Sequence, residues 1–129
     1  MNYYVRGFLI GKGRKSRAAQ EDIWKDLREI AYAGLGDCER LLKRPQAAVA
    51  FYQRALHFDS KDPLVHFSLA LAFTAIFDQS HKPETLPSAR SHFQTMLALN
   101  ADLEESQRAR RYLATIDSVL ESVEGKIHK

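Results

Sequence analysis

Apolar residues recur at steps of three and four along most of the chain, which is the spacing of one face of an α-helix. The pattern predicts a first helix from about Arg17 to Lys43, with Ser16 in position to cap it. The apolar positions of this helix are Ile23, Trp24, Leu27, Ile30, Ala31, Leu35, Cys38, Leu41 and Leu42.

Four further helices are predicted, so the expected fold is all-α. They cover about Pro45–Phe58, Pro63–Phe77, Pro87–Leu99 and Leu103–Glu124. Proline suits the first position of a helix, where an N–H donor is not needed, and Asp62 can cap the helix that follows it.

The chain repeats itself between Tyr32 and Leu99. A shift of 34 residues places Leu35 on Leu69 and Gly36 on Ala70, whereas the later match needs a shift of 41. The later pairs are Ala48 with Ala89, Tyr52 with Phe93, Ala55 with Met96, and Leu56 with Leu97. The change of offset predicts seven inserted residues within the polar segment Asp78–Leu86. We expect a longer loop there, either as tolerated surface variation or as an added contact element.

A period near 34 with the pattern Tyr32-x2-Leu35-Gly36 resembles the tetratricopeptide repeat (TPR), a helix–turn–helix unit. The resemblance covers about residues 29–123 and implies a short right-handed solenoid of antiparallel hairpins. The implied organisation is an N-terminal arm and basic loop over 1–16 and a TPR-like domain over 17–129. Within the domain lie repeat 1 (about 29–62), repeat 2 (about 63–101, with the inserted loop 78–86) and a closing helix (about 102–124).

The resemblance implies binding, because the stacked first helices of TPR proteins line a concave groove for peptides or partner helices. The matching groove positions here are Ile30, Ala33, Asp37, Arg40, Leu64, Phe67, Leu71, Thr74, Arg108 and Arg111. The family's chaperone-tail receptors grip a carboxylate with lysines and asparagines, where this chain has Ala33, Asp37 and Ser68. That specialised function is therefore not implied. An alternative is that Leu64 and Phe67 are buried under the N-terminal arm.

Small residues are expected where two helices of a hairpin meet. Gly36 and Ala48 would let the helices approach closely, while Tyr52 and Leu35 fill the space beside the contact. Cys38, two residues beyond Gly36, is expected to pack rather than to catalyse. His66 is interpreted as a packing residue rather than a ligand.

The 129 residues carry a net charge of +3, to which the N-terminus contributes most. Its basic residues form a solvated tail or contact anionic lipid or nucleic acid. Nucleic acid is the less favoured partner, because the basic run lacks interleaved aromatic residues. The run Tyr3–Ile10 is expected to be a short helix or an extended arm and not a signal peptide. No apolar run approaches the 18 residues of a membrane span, and the single Cys38 favours a reducing, cytoplasmic location.

No catalytic, metal or cofactor site is predicted. The five histidines have no metal-ligand spacing, and Gly11-x-Gly13 lacks the context of a nucleotide loop. We therefore predict a protein–protein interaction module, an adaptor or scaffold, and not an enzyme. The alternative is a structural self-association module within a homo-oligomer or larger assembly.

Overall fold

The computed structural model describes the backbone of residues 16–127 and the side chains of residues 16–125. This part of the chain is helical and contains no β-strand, which confirms the all-α prediction. Its elements are α1 (Arg17–Leu41), α2 (Pro45–Phe58), α3 (Pro63–Ser80), a 3-10 turn (Pro83–Thr85), α4 (Leu86–Leu99) and α5 (Glu104–Ile127). The predicted N-terminal arm and most of its basic loop lie outside the described residues.

The helix starts follow from the local sequence as predicted. The Ser16 hydroxyl accepts a hydrogen bond from the backbone N–H of Ala19 at 3.1 Å. The Asp62 carboxylate accepts from the N–H groups of Leu64 and Val65 at 3.0 and 3.4 Å. These bonds satisfy donors that have no partner within the helix.

Consecutive helices pack against each other around two joined hydrophobic clusters. The first lies among α1, α2 and α3, and the second among α3, α4 and α5. Pairs from the 41-residue shift are equally buried, since Tyr52 and Phe93 are both fully buried, as are Ala48 and Ala89, whereas the pair Leu35 and Leu69 from the 34-residue shift is not, because Leu35 is exposed and Leu69 is fully buried. The correspondence in burial therefore holds for these positions of α2 and α4 but not for every pair of the repeat.

Helices α1 and α2 meet closely at Gly36. A Cβ atom at this position would lie 2.5 Å from Cε1 of Tyr52. The predicted role of Gly36 is confirmed, but that of Leu35 is wrong, because its side chain is exposed. Successive residues turn by about 100° on a helix, so Leu35 points away once Gly36 faces α2. The same geometry leaves Cys38 exposed, contrary to the expected packing.

An exposed apolar surface covers the side of α1 opposite to α2. We call it the outer face of α1. It consists of Trp24, Leu27, Leu35 and Leu41 together with Leu42, the residue that caps the helix, and these residues are 46–71% exposed. The buried residues of α1 are instead Glu29 and Gly36. Helix α1 thus turns its less apolar side toward the rest of the domain.

The connection between α3 and α4 is shorter than the predicted loop over Asp78–Leu86. Helix α3 continues to Ser80, the 3-10 turn follows, and α4 begins at Leu86. The Thr85 hydroxyl donates to the carbonyl of Phe73 at 3.3 Å, and Leu86 is fully buried in the second cluster. The segment therefore supplies the end of α3, a 3-10 turn and one core residue, and the connection is confined to residues 81–85.

No helix within residues 16–127 is both long and apolar enough to cross a lipid bilayer.

Candidate binding groove

Helices α1, α3 and α5 lie beside one another, because α1 contacts α3 and α3 contacts α5. Ala33 of α1 and Ser68 of α3 line one pocket, while Arg40 and Ala75 line the next. The two helices therefore run in the same direction, with a groove between them.

The first pocket of the groove, which we call the acidic pocket, has a volume of about 340 Å³. Four predicted groove residues line it, and one of them, Asp37, carries a carboxyl group. Glu29 and Asp62 add two further carboxyl groups. The lining residues are Glu29, Ile30, Ala33, Gly34, Asp37, Tyr52, Asp62, Leu64, Val65 and Ser68. Ile30 is 63% exposed and Leu64 is 45% exposed, so the mouth of this pocket is apolar and open.

Glu29 is the most unusual group in the acidic pocket. The residue is only 8% exposed, and its Oε1 atom has no hydrogen-bond partner. Burial, followed by a hydrogen bond with Asp62 and the charges of Asp62, Asp59 and Asp26, raises the pKa of Glu29 to about 7. Near neutral pH this carboxyl group is therefore about half protonated.

A hydrogen-bonded cluster separates the acidic pocket from the rest of the groove. The Tyr52 hydroxyl donates to Oδ1 of Asp37 at 2.5 Å and accepts from Nε of Arg40 at 3.1 Å. Arg40 also forms an ion pair with Asp37 at 3.7 Å. Burial, with the bond to Asp37, raises the pKa of Tyr52 to about 12. The cluster fixes Asp37 and Arg40, two predicted groove residues, at the middle of the groove.

Beyond this cluster the groove is basic. A second pocket, of about 240 Å³, contains the predicted residues Arg40, Leu71, Thr74 and Arg108; Lys43 also lines it, so that three basic residues outnumber its one acidic residue, Asp78. A third pocket, of about 330 Å³, is lined by Arg108, Arg111, Tyr112 and Thr115. Nine of the ten predicted groove residues line these three pockets. The groove is therefore acidic at one end and basic at the other.

Phe67 is the tenth predicted residue, and its expected exposure is wrong. It is 4% exposed, packs edge-on against Phe93 with ring centroids 5.8 Å apart, and is covered by the Arg108 guanidinium at 5.4 Å. Helices α4 and α5 fill the space over Phe67, so it belongs to the core. The N-terminal arm of the alternative lies outside the described residues.

A histidine pair that the sequence did not reveal joins α3 to α4. Nε2 of His66 lies 2.8 Å from the carbonyl of Ser60, and its Nδ1 lies 3.0 Å from Nδ1 of His92. Because a carbonyl only accepts, His66 donates from Nε2 and a neutral His66 accepts at Nδ1 from His92. Burial, and then the charge of His66, lowers the pKa of His92. His66 is buried, as expected of a packing residue.

Sequence reasoning also missed Glu29, although a signal was present. Glu29 stands seven residues before Gly36, and seven residues are close to two helical turns. The face of α1 that carries Gly36 and packs on α2 therefore also carries Glu29.

Within residues 16–125, no group of three or more His, Cys, Asp and Glu side chains is arranged to hold a metal ion.

Comparison with known proteins gives no matching family model, no similar curated protein and no similar solved structure.

Proposed function

We propose that this chain is a protein–protein interaction module, an adaptor or scaffold that binds a peptide or a partner helix in the groove between α1, α3 and α5. The observation that carries the proposal is the row of three pockets along these helices, with open apolar side chains at Ile30 and Leu64. The groove performs no reaction in this proposal.

The dimensions and chemistry of the groove favour an elongated ligand. Each pocket is about as large as a small-molecule site or smaller, so a partner would fill the row with successive side chains. Apolar anchors with polar groups around them are also the usual composition of peptide-binding grooves. The opposite charges at the two ends would fix the direction in which a ligand lies.

Selection of random dodecapeptides displayed on phage tests the proposal directly. The full chain would be compared with Ala33→Arg, which fills the acidic pocket, and with Gln53→Arg, which adds the same charge at an exposed position of α2. We expect enrichment of related sequences on the wild-type chain and on Gln53→Arg but not on Ala33→Arg, with all three equally folded by circular dichroism. Enrichment that is absent, or the same on Ala33→Arg, would refute groove binding.

The outer face of α1 favours a second candidate function, self-association. Positions 24, 27, 31, 34, 38 and 41 alternate steps of three and four, the spacing of a helix–helix seam. The five exposed side chains present roughly 500 Å² of apolar surface, against about 800 Å² per partner in a stable interface. A second copy of α1 packed on this face would thus bury a large part of what a dimer needs.

Size-exclusion chromatography with light scattering distinguishes this candidate from a monomeric adaptor. A self-associating chain should give a dimer mass that Leu27→Glu converts to monomer, while Gln94→Glu on the exposed side of α4 has no effect. A monomer mass for the wild-type chain at every concentration would rule the candidate out.

A further inference from the structure

The acidic pocket holds a carboxyl group, that of Glu29, of which one oxygen atom lacks a hydrogen-bond partner. Glu29 Oε1 has no hydrogen-bond partner although nine-tenths of the residue is buried. A buried polar atom without a partner destabilises the fold unless a bound group satisfies it. The other two carboxyl groups of the pocket are already engaged, since Asp37 bonds Tyr52 and Arg40, and Asp62 caps α3.

The surroundings of Glu29 are electrostatically unbalanced. Asp26, Asp59 and Asp62 all act on it, and none of the ion pairs found in residues 16–125 includes Glu29 or Asp62. The remaining walls of the pocket are apolar or uncharged, with Ile30 and Leu64 at its mouth. A ligand group suited to this site carries positive charge at its tip, donates hydrogen bonds and has an apolar stem.

We propose that the acidic pocket binds the side chain of an arginine or lysine belonging to the peptide that occupies the groove. The proposal rests on the function proposed above and specifies the chemistry of the partner. Both side chains combine an apolar stem with a charged head that donates several hydrogen bonds. A volume of about 340 Å³ accommodates one such side chain with part of its neighbours.

Binding of a cation should be linked to ionisation of Glu29. The charged groups around it are Asp26 on its own helix and Asp59 and Asp62 before α3; Val65 and Ser68 of α3 and Tyr52 of α2 complete the surroundings. A pKa of about 7 means that Glu29 is largely protonated at pH 6 and largely ionised at pH 8. The affinity for a cationic ligand should therefore rise about tenfold from pH 6 to pH 8.

Three fluorescein-labelled decapeptides serve as probes. They share a sequence of two leucines on each side of a central residue, with glycine and serine at the ends, and the central residue is arginine, citrulline or glutamate. Citrulline keeps the shape of arginine without its charge. Fluorescence anisotropy with the full chain at low salt gives the three dissociation constants at pH 6 and pH 8.

Two variants of α1 separate a local effect from an effect of net charge. Glu29→Gln neutralises the proposed contact, whereas Asp22→Asn removes one negative charge from an exposed position seven residues away. We expect the arginine peptide to bind at least tenfold more tightly than the citrulline peptide at pH 8. That preference and its dependence on pH should persist in Asp22→Asn and disappear in Glu29→Gln.

The possible results distinguish this proposal from the proposed function. If the three peptides bind equally and Ala33→Arg weakens all of them, the groove binds peptides but the cation site is refuted. If arginine is preferred equally in Glu29→Gln, the cation is bound elsewhere and the site is again refuted. If no peptide binds, or Ala33→Arg changes nothing, the groove itself is not the binding surface and both proposals fail.

Discussion

Gly36→Ala tests whether α1 and α2 approach as closely as the structure indicates. The added Cβ would lie 2.5 and 2.6 Å from Cε1 and Cδ1 of Tyr52, whereas carbon atoms in contact are usually about 3.5–4.0 Å apart. The ring has little room to move, because it is fully buried and its hydroxyl is held by Asp37 and Arg40. Relief therefore requires a shift of about 1 Å in the ring or in a helix.

The expected magnitude is the difference between two opposing effects. Overpacking of this kind costs about 1–3 kcal/mol, and the rigid setting of Tyr52 places Gly36→Ala toward the upper end. Alanine improves the helix propensity of the position by about 1 kcal/mol. We expect a net destabilisation of about 2 kcal/mol.

Gly34→Ala is the matched control, because a Cβ at Gly34 meets no atom within 4 Å. It should stabilise the chain by about 1 kcal/mol through helix propensity alone. Urea unfolding followed by circular dichroism gives both free energies, and their difference isolates the overpacking. Equal stability of the two variants would refute the close contact at Tyr52.

Three further predictions concern burial and are checked by the same urea unfolding. The stability of Glu29→Gln relative to wild type should increase by up to about 3 kcal/mol as the pH rises from about 5 to 8, because the raised pKa of Glu29 makes its ionisation costly in the folded state only. A difference in unfolding free energy that does not change with pH would contradict the burial of Glu29. Leu86→Ala should lower the free energy of unfolding by about 2–5 kcal/mol, whereas a neutral result would mean that the segment Asp78–Leu86 adds nothing to the core. Phe67→Ala should cost about 3–5 kcal/mol, whereas a loss below about 1 kcal/mol would mean that Phe67 is open to a partner after all.

Local signals were sufficient to predict the helix starts. Pro45 and Pro63 each occupy the first position of a helix, and Asp62 caps the second of these helices. Repetition also predicted core positions of α2 and α4, since Tyr52 and Phe93, which the repeat pairs, are both fully buried. Both kinds of information depend on residues close in sequence or on a comparison of the chain with itself.

Contacts between distant segments determined the structural features that could not be predicted from the sequence. The change of offset predicted an insertion near Asp78, but not that α3 would extend to Ser80 and that Leu86 would be buried. The position of Phe67 matched a groove residue, yet Arg108, forty-one residues later, covers its ring. Each of these errors came from a neighbour that no local pattern identifies.

The choice of the packed side of α1 illustrates the same limit. The apolar periodicity of α1 indicated one side of the helix for packing, and the close approach of α2 at Gly36 requires a different side. The second requirement prevailed, because the bulky Tyr52 fits only against a residue without a side chain. As a result, Leu35 is exposed and the carboxyl of Glu29 is buried.

Nuclear magnetic resonance would test the central claim, that the groove is the binding surface. The ¹⁵N-labelled full chain would be titrated with the most enriched dodecapeptide from the phage selection. The account predicts saturable shifts of the backbone amides of Ala33, Leu64 and Ser68, with little change on the outer face of α1. Shifts confined to Trp24, Leu27 and their neighbours on that outer face would contradict it.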